Sequence, residues 1–198
     1  LVAAVESTTS KCLVLQTAGV YVLCFTNNDS LVITSDDMSR EWINEQLSLI
    51  WSQIMKTIGP TCHDKDIFCT GHCVGGALSI MATHRLSEQP NADKSKLHVY
   101  AFGPPRVGNI AFRSKFDRVI EQAYIIVREG DLVPYYPKSK GLVHVGTMRF
   151  VSASGHLFND QHYQFQDIRR RFLTSSTSEN GKFHEIQKYR DHWGQGLT

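Results

Sequence analysis

The most constraining feature of this chain is a short turn at residues 71–75, which read Gly-His-Cys-Val-Gly. Residues 65–70 before the turn have the pattern of a short buried strand, and residues 76–82 after it form an apolar helical segment. A side chain at either glycine would clash where the strand and the helix close on the turn. The sequence therefore predicts a sharp strand–turn–helix element with Cys73 at its centre, which is the context of a nucleophile elbow.

The composition limits the size and the partners of the molecule. The 198 residues, 41% hydrophobic and 20% charged, suit a single globular domain over residues 1–198. The formal net charge is +2, and the only dense basic cluster, residues 169–171, fits a solvated helix face, so no nucleic-acid partner is expected. No stretch approaches the roughly 18 apolar residues that cross a bilayer. The apolar residues 1–5 are too short for a signal peptide, which favours an intracellular location but leaves the compartment open.

The five cysteines do not indicate a disulfide framework or a metal site. Their count is odd and their spacing irregular. Cys12, Cys24 and Cys69 fall in apolar runs, where a free thiol packs as a small hydrophobic group. A zinc site drawn from residues 62–73 would lack paired Cys-x-x-Cys spacing. We therefore expect no metal and no cofactor.

The rest of the pattern alternates strands and helices. Residues 11–17 and 20–26 predict a hairpin, and an apolar stripe at every third or fourth position predicts a helix ending at Gly59-Pro60, with its cap within residues 35–37. This order predicts an α/β fold with a mostly parallel central sheet and helices on both faces. The other expected elements are strands at 31–34, 97–102, 123–127 and 143–151, a helix capped by Asn109, helical segments at 159–172 and 185–192, and a loop at 174–181.

Catalytic groups in such a sheet gather at the carboxyl ends of its strands. The strand over residues 123–128 is followed by Asp131, which therefore lies at the edge where a carboxylate could orient a histidine. The simpler interpretation of Asp131 is a surface turn residue.

A histidine base should follow the acid in the chain order of α/β-hydrolases. His184 follows a flexible glycine-containing segment and begins a helical run, so it could reach over the strand ends, whereas His144 begins a strand pattern and is more typical of a structural residue. His72 precedes the nucleophile and points away from it. The candidates after Asp131 are His144, His156, His162, His184 and His192.

The oxyanion hole requires two N–H groups near the nucleophile. The first is expected at Val74, directly after Cys73. The second should come from a loop after an earlier strand, and the polar loop in that position contains Asn28. Asn28 also begins an Asn-Asp-Ser glycosylation sequon, which we treat as incidental because a glycan would block the hole.

Several further blocks occur in an order and spacing that resemble the class 3 (fungal-type) lipases. The resemblance implies an α/β-hydrolase fold with Cys73 as nucleophile, Asp131 as acid and His184 as base, and Val74 and Asn28 as oxyanion donors. The matching blocks are 70–78 (Thr-Gly-His-Cys-Val-Gly-Gly-Ala-Leu), 101–112 (Ala-Phe-Gly-Pro-Pro-Arg-Val-Gly-Asn-Ile-Ala-Phe), 130–134 (Gly-Asp-Leu-Val-Pro), 144–146 (His-Val-Gly), and His184 five residues before Tyr189.

Three departures from the family pattern bear on the reaction. Serine is replaced by Cys73, the Phe-Arg-Gly-Thr pattern reads Phe-Thr-Asn-Asn at residues 25–28, and the lid segment shrinks to about residues 30–36, which leaves a minimal lid or none. A thiol forms a thioester acyl-enzyme, which favours small activated esters, thioesters and lipid esters as substrates, with an acyl acceptor other than water in reach. Thioester hydrolysis, acyl transfer and peptide cleavage are therefore all open.

Two other interpretations of the same residues remain. The chain could be a catalytically silent binding module of lipase ancestry, or a serine lipase whose nucleophile has been changed to Cys73 by engineering. The altered residues 25–28 count against the second, and the retention of both Asp131 and His184 counts against the first.

Overall fold

The computed structural model describes residues 1–28, 39–137, 141–152, 154–159 and 185–193. In this part of the chain, eight strands form one sheet in which each strand lies beside the next one in sequence. The strands are β1 (Ala3–Glu6), β2 (Ser10–Gln16), β3 (Val20–Asn27), β4 (Asp66–His72), β5 (Leu97–Phe102), β6 (Gln122–Arg128), β7 (Thr147–Val151) and β8 (Leu157–Asn159). The helices are α1 (Arg40–Ile58), α2 (Val74–Ser87), α3 (Ile110–Val119) and α4 (Ile186–Trp193).

The centre of the sheet is parallel and its edges are antiparallel. Strands β3 to β7 pair in parallel, each with the next. Strands β1, β2 and β3 pair antiparallel at one edge, and β8 pairs antiparallel with β7 at the other. The expected α/β class with a mostly parallel sheet is therefore confirmed, and the hairpin of β2 and β3 lies where the sequence predicted it.

Helix α1 follows its apolar stripe. Its five stripe residues are fully buried, and the helix ends at Ile58, directly before Gly59-Pro60, as expected. The N-cap is Ser39, whose hydroxyl accepts a hydrogen bond from the N–H of Trp42. The prediction of a cap within residues 35–37 was wrong, because several consecutive Ser and Asp side chains can each cap a helix and packing selects among them. The stripe consists of Ile43, Leu47, Ile50, Ile54 and Ile58.

Strand alternation divides the core into two layers. In β5 and β6, odd-numbered residues such as Val99 and Ala101 face helices α1, α2 and α3 and belong to the main core. Even-numbered residues such as Phe102 and Tyr124 face the opposite way, where Tyr189 of α4 packs with them. Helices therefore cover both faces of the sheet.

Several boundaries differ from the sequence expectation. Strand β1 was not predicted, because four residues give no period of their own and form a strand only by pairing with β2. Strand β7 begins at Thr147 instead of 143, since Val143 forms an isolated bridge to Gly108. The strand at 31–34 and the loop at 174–181 lie outside the described residues, as does the segment predicted helical at 159–172 beyond the end of β8. Among the described helices, none combines the length and the apolar character that a membrane crossing needs.

Candidate active site

Cys73 joins the end of β4 to the start of α2 in an unusual backbone conformation. Its φ is 59° and its ψ is −128°, in the positive-φ region that side chains other than glycine rarely adopt. Strain of this kind costs roughly 1–3 kcal/mol and is concentrated at functional sites. The N–H of Cys73 donates to the carbonyl of Phe102 on the neighbouring strand at 2.9 Å, which fixes the turn to the sheet.

The two glycines of the turn are required by close backbone packing. A Cβ on Gly71 would lie 2.7 Å from the carbonyl oxygen of Phe25 and would also overlap Gly75. A Cβ on Gly75 would lie 2.8 Å from the carbonyl carbon of Phe25 and 3.1 Å from Cα of Thr26. Real Cβ atoms do not approach backbone atoms this closely, so strand β3 can pack against the turn only with glycine at both positions. The clash that the sequence predicted is therefore confirmed.

The thiol of Cys73 differs in environment from the other four cysteines. Burial raises the pKa of Cys69 to about 12, and it raises the pKa of Cys12 far above the usual value. Burial also raises the pKa of Cys24 and of Cys62. Cys73 is half-buried, as Cys24 and Cys62 also are, and its position directly before the first residue of α2 distinguishes it from them.

The N–H groups of the two predicted oxyanion donors have different surroundings. Val74 is the first residue of α2, so its N–H has no acceptor within its own helix. Asn28 lies at the end of β3, and its N–H donates to the carbonyl of Thr9 at 2.8 Å. In this conformation Asn28 could contribute to an oxyanion hole only through its side-chain amide.

Asp131 is buried instead of being an exposed turn residue. Only 1% of its surface is accessible, and it lies three residues beyond the end of β6. Its Oδ1 accepts a hydrogen bond from the N–H of Val133 at 2.9 Å, and its Oδ2 accepts one from the hydroxyl of Tyr189. These hydrogen bonds hold the buried carboxylate in a fixed position, which is required of a residue that orients a histidine.

Tyr189 is a site residue that the sequence indicated only as a landmark. Its hydroxyl also accepts from the N–H of Arg128 at 3.3 Å, and burial together with the Asp131 charge raises the pKa of Tyr189 well above its usual value. Tyr189 therefore remains a donor to Asp131. Its ring meets the edges of His72 and Phe102, with centroids 5.5 and 6.1 Å away.

A glycine makes room for the Asp131–Tyr189 pair. Gly103, with φ of +52°, follows strand β5. A Cβ there would lie 2.6 Å from the hydroxyl oxygen of Tyr189. Gly103 thus leaves the space in which the Asp131–Tyr189 hydrogen bond forms.

The candidate histidines have different positions relative to this site. His184 and His162 lie outside the described residues, and His192 belongs to α4. His144 donates from Nε2 to the carbonyl of Pro134 at 2.7 Å, and burial lowers its pKa to about 4, so it is a neutral structural histidine. His156 is exposed and bonds locally to Ser154. Within the described ranges, no three His, Cys, Asp or Glu side chains come close enough to hold a metal ion.

The elbow and the buried acid occur in a chain that matches one known family. The sequence profile of the class 3 lipases matches residues 13–141, well over half of the chain. The chain belongs to the class 3 lipase family. The match covers the elbow and Asp131, and it ends before α4.

Individual relatives align over shorter segments. The chain is 38% identical to Lipase ZK262.3 of Caenorhabditis elegans over 72 residues, which is 36% of this chain and 20% of the relative. It is 35% identical to the chloroplastic phospholipase A1-Igamma2 of Arabidopsis thaliana over 85 residues, which is 40% of this chain and 15% of the relative. The chain thus spans a fifth or less of each of these relatives.

Solved lipase structures share the fold. The triacylglyceride lipase of Rhizomucor miehei superposes with a TM-score of 0.65 at 19% identity, over 75% of this chain and 66% of that one. Lipase II of Rhizopus niveus superposes with a TM-score of 0.59 at 21% identity, over 76% of this chain and 65% of that one. At these identities the likeness concerns the α/β fold alone.

Proposed function

We propose that this class 3 lipase is an acyl hydrolase or acyltransferase in which Cys73 forms a thioester acyl-enzyme, with Asp131 and His184 as its acid and base. The observation that carries the proposal is the conformation of Cys73. The half-buried thiol lies at a helix N-terminus, on a strained turn whose two glycines allow strand β3 to pack against it. A chain that had lost catalysis would gain nothing from the strain at this residue.

The Asp131–Tyr189 hydrogen bond supports the choice of acid and base. It attaches α4 to the loop that carries Asp131, at the carboxyl edge of the sheet. Tyr189 is only five residues after His184 in the sequence. Because Tyr189 attaches α4 to Asp131, a residue only five positions earlier in the sequence is a better candidate for the base than the structural His144. This favours His184.

The reaction would proceed in two halves. The Cys73 thiolate attacks the substrate carbonyl carbon, and the resulting oxyanion accepts a hydrogen bond from the Val74 N–H. The carbon–oxygen or carbon–sulfur bond to the leaving group breaks, and protonated His184 gives it a proton. Water or another acceptor then loses a proton to His184 and attacks the thioester, and Cys73 is released as the thiolate.

The chemistry of the thiol supports activated substrates over bulk fat. The tetrahedral intermediate expels whichever group leaves more easily, and a thiolate leaves far more easily than an alkoxide. Small activated esters, acyl thioesters and lipid esters with good leaving groups are therefore the expected substrates, and a second nucleophile such as an amine or thiol is an expected acyl acceptor. The family as such acts on lipid esters, which is consistent with this class.

Intact-protein mass spectrometry tests the proposal directly. After incubation with a p-nitrophenyl ester or an acyl thioester, the wild-type chain should gain the mass of one acyl group. Cys73→Ala should gain none, and Cys62→Ser, which removes another half-buried thiol, should behave as wild type. His184→Ala should acylate and deacylate more slowly.

The same measurement separates the proposal from its alternative. A correctly folded chain that gains no acyl mass from either substrate and releases no product would be a silent binding module. Acylation of Cys62 or Cys24 at the same rate as Cys73 would also contradict the proposal.

A further inference from the structure

A charged cleft lies between helices α1, α2 and α3, away from Cys73. It has a volume of about 460 Å³ and is formed by the start of α1, the last turns of α2 and the start of α3. His84 in this cleft is eleven residues beyond Cys73 along α2, which at 1.5 Å per residue is about 16 Å. The cleft is within the size range of small-molecule sites, and none of the residues of the proposed acyl transfer lines it.

The charges in the cleft favour an anion. Three cationic side chains line it, Arg40 from α1, Arg85 from α2 and Lys115 from α3, against one carboxylate, that of Glu88. Lys115 donates to Glu88 at 2.7 Å, so this pair is internally balanced.

The two arginines of the cleft have different neighbours. Arg85 donates to the Ser48 hydroxyl at 2.8 Å and to the Asn44 carbonyl at 3.4 Å, and the carboxylate of Glu88 is near enough to interact with its charge. Arg40 lies 5.5 Å from the centre of the Phe112 ring and forms an ion pair of 3.6 Å with Glu41, which is not among the residues that line the cleft. The N-terminal ends of α1 and α3 add further positive potential.

The cleft also has an apolar wall. Met81 and Phe112 line it beside the cations. The ring of His84 packs 5.0 Å from that of Phe112, and its Nδ1 lies 3.6 Å from Glu88. Burial, together with the nearby charges of Lys115 and Arg40, lowers the pKa of His84, although Glu88 opposes this effect. A ligand with a negative head and a short apolar part would satisfy both sides of the cleft.

From this arrangement we propose that the cleft between α1, α2 and α3 binds a phosphate monoester group, with the apolar part of the ligand against Met81 and Phe112. The two arginines carry this recognition, since guanidinium groups bind two phosphate oxygens at once. Lys115, although paired with Glu88, adds a third cationic donor in the lining of the same cleft. Both inorganic phosphate and the head group of a lipid phosphate carry this chemistry. The site is independent of the reaction at Cys73.

Calorimetric titration of the full chain tests this site and its source of phosphate. Inorganic phosphate and water-soluble dihexanoyl phosphatidic acid should both bind at constant ionic strength, and Arg40→Gln or Lys115→Gln should weaken each by about tenfold. Tighter binding of the phosphatidic acid identifies a lipid phosphate as the ligand, and equal binding identifies free phosphate. In NMR titrations, bound phosphate should raise the pKa of His84.

Two matched variants control for charge and for folding. Lys56→Gln removes an exposed cation from α1, and Arg118→Gln removes one from α3. Both residues lie outside the cleft, so neither change should affect binding. An unchanged thermal midpoint of the ligand-free Arg40→Gln chain shows that it folds. The proposal is overturned if neither ligand binds at millimolar concentration, or if the control variants weaken binding as much as Arg40→Gln does.

Discussion

The hydroxyl of Tyr189 donates a hydrogen bond to Oδ2 of Asp131, across 58 residues of sequence. Both residues are buried, and the bond attaches helix α4 to the loop after β6. It leaves the Asp131 carboxylate held by Tyr189 and by the Val133 N–H. The rigidity of the proposed acid therefore depends on a residue that carries out no chemistry itself.

Tyr189→Phe should lower the free energy of unfolding by about 1–3 kcal/mol, because it removes a donor to a buried carboxylate while keeping the ring. Urea unfolding measures this. Tyr124→Phe is the matched control, since its hydroxyl bonds to the exposed Gln122 and its loss should cost little. In Tyr189→Phe, the free energy of unfolding should also decrease less steeply with rising pH above pH 10. The pKa of Tyr189 is raised above 10.0, so its contribution is complete below pH 10 and is lost as the pH rises beyond.

Asp131→Asn should preserve the fold and reduce turnover by about four orders of magnitude, as in other triads where the histidine takes the wrong tautomer. The asparagine oxygen can still accept from Val133, which protects the loop. Turnover of an activated ester and circular dichroism measure the two effects. If activity survives this change while His184→Ala abolishes it, another acid is in use, and Asp160 and Asp167, outside the described residues, are the next to substitute.

Iodoacetamide at neutral pH should label Cys73 before the other four thiols. Burial raises the pKa of Cys12, Cys24, Cys62 and Cys69, so little thiolate forms at those positions. Peptide mapping over a time course gives the order. His184→Ala should slow the labelling of Cys73, and equal rates at Cys62 and Cys73 would count against an activated thiol.

His144→Gln should make stability less sensitive to acid. The pKa of His144 is lowered from 6.5 to about 4, so the unfolded chain takes up a proton between these values and the folded chain does not. Stability from this residue is complete above pH 6.5 and decreases as the pH falls to about 4, by up to about 3 kcal/mol. Gln keeps the donor to Pro134 and cannot be protonated. Urea midpoints from pH 8 to 4 test this, with the exposed His156→Gln as control.

Local patterns in the sequence predicted the parts of the fold that depend on neighbouring residues. The stripe of α1 and the cap of Asn109 on α3 are examples, since periodicity and capping act within a few residues. The elbow was predictable for the same reason, because its two glycines indicate that another backbone segment packs closely against the turn, whichever segment that is. The identity of the approaching strand, β3 at Phe25, could not be read from those glycines.

The proposed site was only partly predictable because its support is long-range. The position of Asp131 followed from the end of β6, but its burial depends on Tyr189 and Gly103, and no period connects these residues. The hydrogen bond from the Asn28 N–H to the Thr9 carbonyl depends on the pairing of the start of β2 with the end of β3. Contacts of this kind depend on tertiary packing, which a single sequence does not show.

Short activated esters and acyl thioesters should react much faster with this chain than long-chain triglyceride emulsions do. The tetrahedral intermediate on Cys73 can expel either the leaving group or the cysteine itself. Thiolates and phenolates win this competition, whereas a glycerol alkoxide loses it unless His184 protonates it efficiently. The sequence also predicts a minimal lid or none at about residues 30–36, which lie outside the described residues, so we expect no jump in rate when substrate exceeds its solubility.

Cys73→Ser is the variant that isolates the thiol in this comparison. Serine at the same strained position is a poorer leaving group, so the ratio of ordinary ester to thioester turnover should rise. Its absolute rate should remain low, because the Asn28 N–H is engaged by Thr9 and leaves Val74 as the oxyanion donor. Initial rates on matched esters and thioesters of one acyl chain give the ratio. Faster hydrolysis of emulsified triglyceride by the wild-type chain, with a jump at the interface, would contradict both the proposed role of the thiol and the prediction of a minimal lid or none.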